Sequence, residues 1–341
     1  MQLTQLNKLS IIVYGRGAYI QDELHQLQKR CNVQFVPEQA TREDTIDCFR
    51  DLAAHGTHDV VLFLSAVNAA PFDVTLLGCF IPSLQFVCGL GAGFDHVDVK
   101  FLTANQVIYA NCPNAVADPT ATATVMHVLQ AVRGASQAEA VVRRGEWRLG
   151  LEASPDVRDL TVGIVGMGSI GKLAQRKLDA LGFQTIYYNR RRLSPSEEGT
   201  ARYVSFDELI ETADVISLHT PLTSETHHLL SDAEFARMKD GVFIVNTARG
   251  AVINEKALVR AMQSGKVSRV GLDVFEREPY VEPYLRASER ASLAPHWATH
   301  TTRTYRDIER ELFANLVSWL KTGRPNTSVN DPLPREVVVG W

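Results

Sequence analysis

The sequence predicts an α/β protein of two Rossmann-like or flavodoxin-like domains, each built on a doubly wound parallel sheet. Its 341 residues exceed the roughly 100–200 of a typical domain, so we expect two hydrophobic cores. Short β-branched or aromatic runs alternate with polar segments of helical period, first from Ser10 and again from Leu160, as in parallel βα units. A glycine-rich turn follows the first strand of the second series.

The first series of βα units ends near Asn111. Strands are predicted at residues 10–14, 33–36, 59–64, 85–88 and 107–109. Helices long enough to cross one face of a sheet are predicted between them, at about residues 18–30, 42–55, 72–79 and 99–105.

The stretch 114–144 carries no strand pattern and predicts one long helix or a pair of helices between the domains, with Pro119 in a first turn. The second series then predicts strands at residues 161–165, 185–188, 215–218, 242–245 and 269–272. A last amphipathic helix is predicted over about residues 302–320, because apolar side chains recur there at three- and four-residue spacing, at Ile308, Leu312, Leu316 and Trp319.

Composition and charge exclude several classes of protein. The chain is 45% hydrophobic and 22% charged, which is typical of a globular protein and unlike disordered, collagen-like or coiled-coil sequences. The formal net charge is −4 and the longest basic run is 190–192, so we expect a small-molecule partner and no nucleic acid or membrane. Five cysteines without paired spacing, and no apolar signal core in residues 1–8, predict a cytoplasmic protein with reduced thiols.

The glycine-rich turn has the spacing of a dinucleotide-binding fingerprint, Gly166-x-Gly168-x-x-Gly171. In that fingerprint Gly166 allows the tight turn, Gly168 lets the backbone approach a pyrophosphate, and Gly171 lets the helix pack closely on the strand. The backbone N–H groups of Ser169 and Ile170, at the start of the helix, are then available to the phosphates. A βα turn without a ligand is the alternative interpretation.

The end of the second strand of this series indicates which dinucleotide is preferred. A carboxylate that would hold the ribose 2′-hydroxyl of NAD is expected about 20 residues after the fingerprint, but the sequence has Asn189, Arg190 and Arg191 there. Two guanidinium groups complement a 2′-phosphate through charge-assisted hydrogen bonds. We therefore predict NADP(H) as the preferred cofactor, with NAD(H) possible because Asn189 can bond a bare ribose. A solvated basic turn is the alternative.

Four further stretches, in the same order and spacing, resemble the D-2-hydroxyacid dehydrogenase family over nearly the whole chain. They are GAGFDHVD at 91–98, NTARG at 246–250, GLDVFEREP at 271–279 and APH at 294–296, with smaller likenesses at 145–147, 219–223 and 226–230. Within the family the sequence most resembles glyoxylate/hydroxypyruvate reductases, with D-mandelate dehydrogenases nearby. Formate dehydrogenases are disfavoured, because they lack the glutamate found here as Glu278.

The resemblance implies how the chain is divided and what it does. A cofactor domain of residues 118–300 would be inserted into a substrate domain of residues 1–117 and 301–341, with catalysis in the cleft between them. The expected reaction is hydride transfer from NADPH to a 2-oxo acid, which gives the D-2-hydroxy acid. A homodimer is expected through the cofactor domain and the region 114–150. The rival hypothesis is a dinucleotide-sensing corepressor similar to the C-terminal-binding proteins, which share the fold; the lack of a long disordered tail and of a basic segment favours the enzyme.

Carried over residue by residue, the resemblance implies three catalytic side chains. Arg249 would bind the substrate carboxylate and polarise the ketone, and it follows a predicted strand at the edge where open α/β sheets bind ligands. His296 would be the acid/base group, because histidine changes charge near neutral pH. Glu278 would orient that ring and favour the imidazolium. The alternatives are a surface arginine, a satisfied loop histidine and a solvated loop carboxylate.

Further positions are assigned by the same resemblance. The loop of Gly91, Ala92 and Gly93 would bind the substrate carboxylate through backbone N–H groups, although a bare glycine-rich turn is the alternative. Cofactor contacts are expected at His219, Pro221, Thr247, Ala248 and Asp273, the last near the nicotinamide or else simply a strand-end turn residue.

Two features depart from the family pattern. Pro119 falls where an uninterrupted helix entry is expected. After His296 the sequence reads WATH at 297–300 in place of the family's glycine-containing stretch, so Trp297 would narrow or line the substrate pocket. His296 and His300 have the spacing of a helical metal-binding pair, but without a third ligand we predict no metal.

Overall fold

The computed structural model describes residues 9–148 and 150–332 and divides the chain into two α/β units. One unit comprises Met1–Val116 with Thr301–Trp341, and the other comprises Ala117–His300. The predicted fold class is confirmed, since each unit is built on one fully parallel sheet. The expectation for residues 1–8 lies outside the described residues.

The first unit has a five-stranded sheet in the order β2-β1-β3-β4-β5, a flavodoxin-like order that reverses between β1 and β3. Its strands are β1 Ser10–Tyr14, β2 Asn32–Val36, β3 Val60–Phe63, β4 Phe86–Cys88 and β5 Ile108–Ala110. Its helices are Gln21–Gln28, Arg42–His55, Val74–Leu77, Val99–Ala104 and Thr302–Thr322, with a 3₁₀ turn at Gly78–Phe80.

Sequence-encoded caps set the bounds of these helices. Thr41 and Asp44 form a capping box at the start of Arg42–His55, and the carboxylate of Asp73 accepts the N–H of Leu76. The predicted helix at 72–79 therefore begins only after Asp73. The apolar stripe of Thr302–Thr322 is buried as its spacing predicts, with Trp319 stacked on Phe86 at 5.1 Å between ring centroids.

The second unit has a seven-stranded sheet in the order β12-β11-β10-β9-β6-β7-β8, which reverses between β6 and β9. Its strands are β6 Thr161–Val165, β7 Gln184–Tyr188, β8 Arg202–Tyr203, β9 Val215–Leu218, β10 Val242–Asn246, β11 Val267–Leu272 and β12 Ala291–Leu293. Its helices include Ser169–Ala180, Pro195–Glu198, Phe206–Thr212, Asp232–Arg237, Glu255–Gln263 and Pro283–Ala287, and 3₁₀ turns lie at Val157–Asp159 and Gly250–Val252.

Two strands of the second unit were not predicted. The strand β8 has only two residues, and β12 is Ala-Ser-Leu, which lacks the β-branched and aromatic residues that mark the equally short β4 and β5. They lie at the two edges of the sheet and pair with β7 and β11. Their strand state therefore comes from the neighbouring strand rather than from local propensity.

The bridging stretch is a pair of helices, Pro113–Arg133 and Ala135–Arg143, separated by Gly134 at φ 61°. The prediction that Pro119 lies in a first turn is wrong, because Pro113 takes that position and Pro119 lies inside the helix. The division between the two units falls within this helix, between Val116 and Ala117.

Two further observations concern the environment of the chain. Within residues 9–148 and 150–332, no helix is long and apolar enough to cross a membrane. All five cysteines carry free thiols, at Cys31, Cys48, Cys79, Cys88 and Cys112.

Candidate active site

The glycine-rich turn joins β6 to the helix Ser169–Ala180 at the point where the strand order reverses. Gly166 has φ 98°, and a Cβ there would lie 2.9 Å from the carbonyl group of His219. A Cβ on Gly171 would collide with the Gly166 carbonyl oxygen, so this glycine lets the helix pack on the strand. A Cβ on Gly168 would have no atom of the described residues within 4 Å.

Open space therefore lies beside the start of this helix. In the described part of the chain no side chain caps its first turn, which contains Ser169 and Ile170. An uncapped N-terminus presents backbone N–H groups and a partial positive charge. The residues present fit a dinucleotide pyrophosphate at this position.

The segment after β7 carries the asparagine and arginines of the predicted cofactor preference. The Asn189 side-chain oxygen accepts the N–H of Met167 at 2.6 Å, which ties this segment to the glycine-rich turn. Arg190 and Arg191 are exposed, and neither forms an ion pair within the residues that the structure describes. Arg192 instead pairs with Glu198 at 2.7 Å.

Arg249 lies just beyond β10, at the carboxyl edge of the same sheet. The Asn246 amide donates to the Arg249 carbonyl at 2.9 Å, and the Asn246 side-chain oxygen accepts the N–H of Ala248 at 3.0 Å. A Cβ on Gly250 would collide with the backbone of Phe275, so only glycine lets these two loops cross. The loop that carries Arg249 is thereby held against the loop that precedes Glu278.

Glu278 and His296 form a hydrogen-bonded pair, with 2.9 Å between Oε2 and Nδ1. Their hydrogen bond raises the pKa of His296 above its ordinary value, against an opposing effect of partial burial. Burial opposes ionisation of Glu278, but the hydrogen bonds from His296 and from the N–H of Phe275 outweigh it and lower its pKa. The positive charge of Arg249 acts on both groups, so the structure brings the three predicted catalytic residues together.

Asp273 shapes the backbone around His296. Its side chain is 1% exposed, and its two carboxylate oxygens accept the N–H groups of Trp297 at 2.7 Å and Ala298 at 3.0 Å. Its carbonyl accepts the N–H of His296 at 2.7 Å, and His296 adopts φ 51°. Asp273 therefore fixes the turn that carries His296 and Trp297.

The helical metal-binding pair considered for His296 and His300 does not form, because His296 lies outside any helix. Across the residues described, no group of three or more His, Cys, Asp or Glu side chains is arranged to hold a metal ion. Trp297 is 46% exposed, and its ring lies 5.9 Å from that of His300.

Other predicted contacts occupy sheet ends or the loops that follow them. His219 Nε2 lies 2.9 Å from the Ser217 hydroxyl, and burial lowers the His219 pKa to about 4. Pro221 is exposed. The Thr247 hydroxyl lies 2.7 Å from that of Thr124 on the bridging helix.

The loop of Gly91, Ala92 and Gly93 belongs to the first unit and follows β4. Gly91 adopts φ 81°, and its carbonyl accepts the N–H of Cys112 at 2.8 Å. The Ala92 carbonyl accepts the side-chain amide of Asn111 at 2.6 Å. Both carbonyls are thus bonded to the segment that follows β5.

The sequence did not predict several residues that contact β11 or the loops that follow β10 and β11. Glu276 accepts the N–H of Glu255 at 3.0 Å and lies 3.2 Å from His228 Nε2, while Glu255 accepts the N–H of Glu276 at 3.0 Å. His127 is 1% exposed, with no hydrogen-bond partner for its ring nitrogens among the described residues, and a Cβ on Gly271 would lie 2.7 Å from its Cβ. The local sequence around each of these residues does not indicate which distant residue it contacts.

The chain is similar to known proteins over nearly its whole length. A family model described as D-isomer specific 2-hydroxyacid dehydrogenase, NAD binding domain, matches residues 125–298. The chain is 38% identical over 325 residues to 4-methyl-2-oxopentanoate reductase A of Aspergillus oryzae, covering 94% of this chain and 97% of that protein.

Two solved structures are similar to it as well. A glyoxylate reductase from Paecilomyes thermophila matches with a TM-score of 0.90 at 37% identity, covering 94% of this chain and 98% of that one. An NADPH-dependent glyoxylate/hydroxypyruvate reductase from Sinorhizobium meliloti, solved in complex with NADP and malonate, matches with a TM-score of 0.81 at 28% identity. That match covers 96% of this chain and 99% of the other.

Proposed function

Because the chain belongs to the D-isomer specific 2-hydroxyacid dehydrogenase family, we propose that it reduces a 2-oxo acid to the D-2-hydroxy acid, preferring NADPH over NADH. The observation that carries the proposal is the 2.9 Å hydrogen bond between Glu278 and His296 within the electrostatic reach of Arg249. All three lie in the same unit as the glycine-rich turn. We therefore assign cofactor binding to residues 118–300 and substrate binding to residues 1–117 with 301–341, and we propose a homodimer through the former.

In the proposed mechanism His296 is the acid that protonates the carbonyl oxygen. Its Nδ1 carries a proton toward Glu278, because an ionised carboxylate can only accept, and this leaves Nε2 to donate to the substrate. Glu278 raises the pKa of His296, so a larger fraction of His296 is protonated near neutral pH and can donate its proton. The guanidinium of Arg249 binds the substrate carboxylate and stabilises negative charge that develops on the carbonyl oxygen. The bound nicotinamide supplies the hydride.

The cofactor preference rests on the two arginines after β7. Arg190 and Arg191 are exposed and make no ion pair within the described residues, whereas the charge of Arg192 is neutralised by Glu198. The charge of Arg190 acts on Glu225 without an ion pair between them, so among the described residues both guanidinium groups keep donors available for a 2′-phosphate. The similarity to a relative solved with NADP supports this preference.

The substrate class follows from the relatives. They are named as reductases of glyoxylate and of 4-methyl-2-oxopentanoate, which share a 2-oxo acid group and differ in side-chain size. We assign the carboxylate to Arg249 and to the backbone of Gly91, Ala92 and Gly93. The exposed ring of Trp297 would contact the substrate side chain.

A substrate and cofactor panel tests the proposal. We expect turnover of at least one of glyoxylate, hydroxypyruvate, phenylpyruvate, benzoylformate and 4-methyl-2-oxopentanoate, with kcat/KM higher for NADPH than for NADH. Arg249→Lys should raise KM for the oxo acid about tenfold or more and change kcat less, since lysine keeps the charge but loses the bidentate geometry. Arg190→Ala and Arg191→Ala should each raise KM for NADPH about tenfold, which is the loss of one charge-assisted hydrogen bond.

The outcomes separate the parts of the proposal. If the unsubstituted protein prefers NADH and Arg190→Ala leaves that preference unchanged, the cofactor assignment alone is contradicted. Dinucleotide binding without turnover of any oxo acid, at any pH between 5 and 9, would contradict the enzymatic assignment and favour a dinucleotide-sensing protein.

A further inference from the structure

The three consecutive arginines after β7 are not equivalent in the structure. They belong to the segment 189–194, which we call the arginine loop. Its first residue, Asn189, is held by two hydrogen bonds. The Asn189 side-chain oxygen accepts the N–H of Met167, and the Asn189 carbonyl accepts the Tyr203 hydroxyl at 3.2 Å. Near its other end, the Leu193 N–H donates to the Tyr187 hydroxyl at 3.1 Å. Arg190 and Arg191 lie between two anchored ends.

Glu198 is the centre of the second anchor. Its carboxylate accepts the Tyr187 hydroxyl at 2.6 Å and two guanidinium donors of Arg192, at 2.7 Å on Oε1 and 3.1 Å on Oε2. These bonds lower the pKa of Glu198 to about 2, against the effect of burial. Arg192 also lies over the Tyr203 ring, 5.9 Å from its centroid. The anchor therefore consists of Tyr187, Glu198 and Arg192.

This anchor is built from groups that are costly to bury. Tyr187 is fully buried and Glu198 is 8% exposed, and a buried carboxylate is unfavourable unless it is paired and hydrogen-bonded. The short helix that contains Glu198 already has its own capping box, formed by Ser194 and Glu197. What the anchor adds is a fixed backbone path between Asn189 and Leu193, together with a bidentate bond that ties the charge of Arg192 to Glu198.

We infer that Tyr187, Glu198 and Arg192 are positioning residues that hold Arg190 and Arg191 ready for the cofactor's 2′-phosphate. The inference rests on the proposed preference for NADPH. A preorganised loop loses less conformational freedom when it binds an anion, so the anchor improves NADPH binding without touching the phosphate. NADH lacks the 2′-phosphate and gains nothing from the anchor. Specificity for NADPH therefore depends on the buried residues Tyr187 and Glu198 as well as on the exposed arginines.

Tyr187→Phe tests the inference, because it removes the hydroxyl that joins Glu198 to the Leu193 N–H without changing any charge. We expect KM for NADPH to rise about three- to tenfold, while KM for NADH changes less than about twofold. The increase should persist at high salt, since screening weakens charge interactions but not the order of a loop. Arg192→Lys, whose side chain is exposed, keeps the charge and loses the bidentate bond, and should act in the same direction.

Arg202→Ala is the matched control. Arg202 is an exposed arginine on the neighbouring strand β8 and pairs with Glu208 at 2.8 Å. Its removal takes one positive charge from the strand that pairs with β7 but leaves the arginine loop anchored, so the ratio of the two KM values should stay within about twofold of the unsubstituted protein.

Three results would overturn the inference, and only the last would also overturn the proposed cofactor preference. If Tyr187→Phe and Arg192→Lys leave KM for NADPH unchanged while Arg190→Ala raises it, the anchor has no positioning role and the cofactor preference stands. If Tyr187→Phe raises KM for both cofactors equally, the anchor acts on general stability. If Arg190→Ala and Arg191→Ala also leave KM for NADPH unchanged, the cofactor preference itself fails.

Discussion

The seven-stranded sheet presents two different kinds of polar end. After β6 and β7, the candidate ligand groups are backbone N–H groups beside Gly168 and the guanidinium groups of Arg190 and Arg191. None of these changes charge near neutral pH. After β10, β11 and β12 lie a fixed charge, Arg249, and a pair whose pKa values are shifted apart, Glu278 and His296.

The two ends of the sheet are suited to different chemical tasks. A phosphate needs donors that are present at every pH, so an end built on backbone and arginine suits binding. Proton transfer needs a group whose charge changes in the working range, and only the second end has one. We call these the nucleotide end and the acid–base end. If the two roles are separate, a substitution at one end should leave the function of the other end unchanged.

The largest effect is expected at the acid–base end. His296→Ala removes the proposed acid, so kcat for oxo acid reduction should fall roughly 10²- to 10⁴-fold. KM for NADPH should stay within about twofold, because the nucleotide end is intact. Steady-state kinetics with a saturating oxo acid measure both values. His227→Ala, at an exposed histidine of the same unit, is the control. Near-normal turnover in His296→Ala would remove the acid assignment.

A smaller effect, about tenfold at alkaline pH, is expected when only the partner of His296 is changed. The raised pKa of His296 keeps the acid form to higher pH than an ordinary histidine, and activity in reduction is lost as the pH rises through that pKa. Glu278→Gln removes the negative charge that raises it. The fall in kcat/KM should therefore move to lower pH.

A pH profile between 5 and 10 measures this shift. Arg190→Ala, at the nucleotide end, should leave the position of the fall unchanged because arginine does not titrate in this range. An alkaline fall at the same pH in Glu278→Gln and in the unsubstituted protein would contradict the coupling of Glu278 to His296.

The contacts at the two ends also differ in whether they could be predicted from the sequence. Gly166 and Gly171 were predictable because their packing partners are near in sequence or on the next strand of a known pattern. The cap that Asp273 makes on Trp297 was not, since these residues are 24 apart and the bond depends on how two loops meet. The pairing of Glu198 with Arg192 was equally hidden, because a charged pair on a turn normally indicates a solvated surface.

Strands and helices were likewise predicted where the signal is local in sequence and missed where it depends on distant partners. The core strand β6 was predicted to the residue, because its β-branched residues directly precede the glycine-rich turn. The edge strands β8 and β12 exist only through pairing with β7 and β11. The bridging helix begins at Pro113, one residue before the predicted stretch 114–144, because a proline is favourable in the first turn of a helix. Pro119 therefore lies inside the helix.

The smallest effect separates folding from binding within the nucleotide end. Gly171→Ala places a Cβ against the Gly166 carbonyl, so we expect the free energy of unfolding to fall by about 1–3 kcal/mol. Gly168 has φ −83° and open space around its missing Cβ, so Gly168→Ala should leave that free energy within about 0.5 kcal/mol. It should still raise Kd for NADPH, because a methyl group would fill the space that a pyrophosphate must enter.

Denaturant unfolding and NADPH titration of both variants give the two quantities independently. Neither substitution should move the alkaline fall in activity, since the acid–base end is untouched. Equal loss of stability in Gly168→Ala and Gly171→Ala would mean that Gly168 also serves packing, and its open space would no longer argue for a ligand. Unchanged NADPH affinity in a stable Gly168→Ala would place the pyrophosphate elsewhere, and the separation of the two ends would then rest on the arginines alone.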